Sequence, residues 1–75
     1  FRNSTTLRFS LPEATQVRIC VYDLRGAFID VLTDAVYPVG FTEIQWQAGN
    51  HPPGVYLIRL ISDDTVETRK IILMN

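Results

Sequence analysis

The chain has 75 residues, 47% hydrophobic and 20% charged, with a formal net charge of −1 and one cysteine. That composition belongs to a small globular domain, and the near-neutral charge gives no footprint for nucleic acid or an anionic membrane. No apolar run reaches the roughly 18 residues of a membrane-spanning helix, and a lone Cys20 excludes an internal disulfide or an all-cysteine metal site within these residues.

A chain of this size buries only about 60% of the surface its unfolded form exposes, so its stability margin is thin. It begins at Phe1 without Met or a basic-then-apolar leader. The expectation is one domain over residues 1–75, a piece of something longer, with any export signal upstream.

Apolar residues recur at period two, the strand signal. In TTLRFSLP, Leu7, Phe9 and Leu11 share one face and Thr6, Arg8 and Ser10 the other; Pro12 ends the run because it has no N–H for a ladder. In QVRICVY, Val17, Ile19 and Val21 oppose Arg18, Cys20 and Tyr22. FIDVLT follows, and TEIQWQ sets Thr42, Ile44 and Trp46 against Glu43 and Gln45. VYLIRLIS is apolar on both faces, as expected of a central strand, and VETRKIILM is polar at its start and apolar at its end. Turn signals fall at residues 12–14, 24–26, 38–40, 49–54 and 62–65, about every 8 to 15 residues, the rhythm of a sandwich or a partly open barrel. No window carries a helical stripe. The predicted fold class is all-β.

Asp23-Leu24-Arg25-Gly26 has the Asp and the Gly that a type I turn favours at its first and fourth positions. The Asp23 carboxylate can accept from N–H groups two and three residues on, and Gly26 can take the positive φ of a tight hairpin. A corner explains all four residues, whereas a catalytic Asp23–Arg25 pair explains two.

Other chemistry-bearing residues lack company. His51 is the only histidine and reads as a solvated loop residue, with no second ligand to make a metal site. Asp63, Asp64 and Glu67 cluster in the manner of a calcium loop, but without its further oxygen ligands and Gly, and Ser62-Asp63-Asp64-Thr65 reads as a hairpin tip. Ser4, Thr5 and Thr6 have no base to activate them, and Cys20 reads as a small filler in a strand. Trp46 and Tyr56 read as core anchors; Phe28, Tyr37 and Phe41 leave room for a sugar- or protein-binding patch. Lys70 reads as a solvated lysine beside Glu67. No enzyme constellation emerges.

Taken in order, Ser4-Thr5-Thr6-Leu7-Arg8-Phe9-Ser10-Leu11-Pro12, Val21-Tyr22-Asp23-Leu24-Arg25-Gly26, Trp46, Pro53-Gly54-Val55-Tyr56 and Lys70 before Ile71-Ile72-Leu73 form a familiar series. It resembles the type A C-terminal sorting domain of the type IX (Por) secretion system, and is similar to the Ig-like domain of flagellar hook-capping proteins. The resemblance implies an Ig-like antiparallel β-sandwich of about seven short strands at the end of a larger exported hydrolase, adhesin or protease. It further implies a non-catalytic module, without cofactor or metal and monomeric in isolation. The parent passes through the periplasm to the cell surface at the outer membrane, where the secretion machinery recognises the folded tail. Gly54 and Tyr56 match the family's Gly-x-Tyr motif, and Lys70, Ile71, Ile72 and Leu73 its terminal strand, while Asp23, Gly26 and Trp46 are structural. Phe1 would be the Phe of the usual Asn-Pro-Phe opening. Two departures stand out: Asn3 replaces the family's Pro, and Leu73-Met74-Asn75 lacks the basic residue that sorting tails often carry. The competing reading is a structural Ig-like spacer, or a carbohydrate- or protein-binding accessory module of a secreted enzyme.

Overall fold

Wherever apolar and polar residues alternate, the chain is extended. A computed structural model describes residues 3–49, 51–63 and 65–74, so Phe1 and Asp64 lie outside the described residues. These form six strands and no helix: β1 (Ser4–Leu11), β2 (Thr15–Asp23), β3 (Phe28–Tyr37), β4 (Gly40–Gln47), β5 (Gly54–Ile61) and β6 (Val66–Leu73). The protein is all-β, as expected, with six strands where about seven were expected.

The strands make two antiparallel sheets, a pair β1-β4 and a four-stranded sheet in the order β3-β2-β5-β6, arranged as a sandwich. In the small sheet Leu7 lies opposite Ile44 and Thr5 opposite Trp46, so both strands turn their apolar faces inward together. Leu7, Phe9, Leu11 and Trp46 meet Val17, Ile19, Val21, Tyr56, Ile58 and Leu73 in one buried cluster. Each such side chain contributes about 1.5–3 kcal/mol by leaving water, which a chain this short needs.

β3 departs from strict alternation. Its pairing with β2 runs Ile19↔Thr33, Cys20↔Val31, Val21↔Asp30, Tyr22↔Phe28, which leaves Leu32 and Ile29 as extra residues at two bulges. Both are partly buried against the core. The bulges re-aim an edge strand whose sequence does not alternate cleanly, and β3 thereby continues to Tyr37 beyond the FIDVLT run.

The β2–β3 corner is a three-residue hairpin closed at both levels of the backbone. Gly26 N–H donates to the Asp23 carbonyl, and Asp23 N–H to the Ala27 carbonyl, each at 3.0 Å. Asp23 Oδ1 accepts from the N–H groups of Arg25 and Ala27, each at 2.9 Å. The second of these donors lies four residues on, one further than expected, because the Gly26 N–H is already committed to the backbone. Gly26 takes φ of 85°, the left-handed value at which a side chain would be strained.

Two strands cannot cover four. Where the small sheet stops, the sandwich opens into a cavity of about 360 Å³ floored by Phe9, Leu11 and Leu60 and edged by Arg8, Glu67 and Arg69.

Candidate recognition surface on the terminal strand

Six residues expected to matter for recognition lie on β5 and β6, which pair directly. Gly54 opens β5 at φ 152° and faces Leu73, while Tyr56 faces Ile71. Tyr56 is 4% exposed. Its ring stands edge-on to Trp46 at 5.5 Å and 67°, and its hydroxyl donates to the carbonyl of Pro52 in the preceding loop. Leu73 is buried and Ile71 packs against the core. Tyr56, Ile71 and Leu73 therefore hold the strand pair down.

Lys70 and Ile72 fall on the opposite face. Lys70 lies across from Leu57 and Ile72 across from Val55, and both are exposed. Alternation thus divides the terminal strand into an inward half that packs and an outward half available for contact. β6 is also the edge of its sheet.

The outward face continues across the sheet through residues that sequence reasoning did not join. Directly opposite pairs set Phe28, Tyr22, Leu57 and Lys70 in one row, and Val31, Cys20, Arg59 and Thr68 in the next. The Arg59 guanidinium lies over the Tyr22 ring at 5.5 Å, and Tyr22 meets Phe28 edge-on at 6.1 Å. Cys20, set between Val31 and Arg59, is a buried free thiol. The signal that could have found this face is the filling of both sides of VYLIRLIS. As the sequence implies, β5 is a central strand, between β2 and β6, and its second side is an open face of the sheet.

The remaining candidates disperse. His51 is half-buried, not solvated: its ring lies 6.0 Å from Trp46 and 6.4 Å from Tyr56, a third member of their cluster. The aromatics proposed for a sugar platform do not share one surface. Phe41 is 81% exposed on the small sheet, Phe28 lies on the large one, and Tyr37 packs on Phe9. Among the described residues no group of three or more His, Cys, Asp and Glu is placed to hold a metal ion.

The family described as secretion system C-terminal sorting domain matches residues 2–74. That match favours sorting over the spacer and sugar-binding readings. No curated protein and no solved structure matches the chain.

Proposed function

The chain belongs to the secretion system C-terminal sorting domain family and is a sorting module for type IX secretion; we propose that the machinery reads it through the outward half of β6 and the strand beside it. Membership implies an interaction with the secretion system, a parent protein N-terminal to the module, and export of that parent to the cell surface or the medium. The module itself is non-catalytic.

In this reading residues 1–75 act as one Ig-like unit whose receptor belongs to the outer-membrane machinery. Lys70 and Ile72 make the contact. Tyr56, Ile71 and Leu73 keep the strand seated, and Gly54 permits the turn that starts β5. The observation that supports it is the alternation along β6, which sends Lys70 and Ile72 out and Ile71 and Leu73 in. Because β6 is an edge strand, an added strand from the receptor is a physical route to affinity.

Fusing the module to the C-terminus of a periplasmic reporter in a type IX-competent host should carry the reporter to the cell surface. A reporter that stays in the periplasm would refute the reading.

A further inference from the structure

The large sheet has an outer face that the small sheet does not cover. Phe28, Val31 and Ile72 on it are 56%, 44% and 52% exposed, and Tyr22, Leu57 and Val55 between them are half-buried. The cross-strand register adds Arg18, Arg59 and Lys70 to this face and one carboxylate, Asp34, which already accepts from Gln16. Three cations against one carboxylate is a local positive excess on a chain of net charge −1. Among the described residues the one ion pair, Arg8–Glu43, lies on the other sheet. The Tyr22 ring beneath Arg59 fixes the guanidinium in place without consuming its N–H donors.

Three occupants fit an apolar face, and charge separates them. A second copy docked face to face by a two-fold axis would set these cations against their own kind. An anionic bilayer is usually met by clusters of about four to eight basic residues, more than this face carries. An acidic protein surface needs only a few carboxylates around an apolar centre, and a Tyr, Phe and Arg cluster is the composition that dominates protein–protein contacts.

We propose that the outer face of β3-β2-β5-β6 docks an acidic protein surface of the export machinery, with partner carboxylates meeting Arg59 and Lys70 around a stripe of Tyr22, Phe28 and Leu57. The proposal rests on the sorting reading above and supplies its chemistry.

The test uses the reporter fusion in the type IX-competent host with three tails: unchanged, Arg59→Glu with Lys70→Glu, and Lys70→Arg. The double reversal lowers surface reporter on the order of tenfold, the scale of lost charge complementarity at an interface, while its melting temperature falls by a few degrees at most, the scale of the one exposed Arg59–Tyr22 contact it removes. Lys70 is the chain's only lysine. Zero-length carbodiimide coupling on cells, read by mass spectrometry of the cross-linked peptides, gives a peptide in which the Lys70 amine is joined to a partner carboxylate, and that peptide, measured per surface reporter, is absent from the Lys70→Arg tail. Normal export of the double reversal, or no such adduct, overturns the proposal and leaves the sorting reading standing. Sedimentation of the purified chain with vesicles of phosphatidylglycerol and phosphatidylethanolamine in equal parts, lost on double reversal, would assign the face to lipid instead. Failure of the unchanged tail to export the reporter would overturn both.

Discussion

At Asp23 one carboxylate oxygen serves two backbone donors, Arg25 and Ala27, beside a glycine at φ 85°. Replacing it, Asp23→Ala, removes the acceptor of both bonds and should lower stability by about 1–2 kcal/mol. Gly26→Ala should cost roughly 1 kcal/mol through backbone strain alone. Urea unfolding of the two variants checks this, and midpoints equal to the unchanged chain would show that the corner is not held this way. A corner was legible in the sequence because its requirements are local: an acceptor, a positive φ, and an apolar run on each side. His51 was not legible, since its contact with Trp46, five residues back, depends on how the loop after β4 turns, with the His51 N–H donating to the Ala48 carbonyl.

Each strand divides its residues between two environments, and β6 shows the consequence most plainly. Leu73 is 5% exposed and Ile72 is 52% exposed, although they are neighbours. Leu73→Ala should cost about 2–4 kcal/mol, which for a domain this size lowers the melting temperature by roughly 10–30 °C. Ile72→Ala should stay within about 0.5 kcal/mol of the unchanged chain while reducing export. Thermal melts paired with the reporter assay separate the two effects; equal melting losses would show that β6 does not divide as described. Period-two reading placed the inward sets of β1 and β2 correctly, with Leu7, Phe9 and Leu11 meeting Val17, Ile19 and Val21. It assigns no faces on β3, where Ile29 and Leu32 sit three apart. Only bulges, which are set by pairing with β2, bring both toward the core.

For the molecule as a whole, stability lies in the shared interior rather than in surface charge. Arg8 and Glu43 are 3.1 Å apart but 68% and 56% exposed, so solvent screens them. Glu43→Gln should change unfolding free energy by less than about 1 kcal/mol, and a larger loss in denaturant titration would mean the small sheet depends on that pair. The all-β class was legible because several separate segments alternate with period two and no segment carries a helical stripe. The pairing of sheets was not, because β1 finds β4 and β2 finds β5 across long stretches of chain, and periodicity carries no information about partners. Such distant pairing makes folding slow, with the loops closed before the contacts repay them. The order also has a use. Ser4 cannot meet Gln47 until β4 has been made, and Leu73 cannot close against Gly54 until nearly every residue has been made and delivered. A module wired in this way cannot announce itself half-finished: a passenger truncated ahead of β6 would lack Lys70 altogether and arrive without a legible destination.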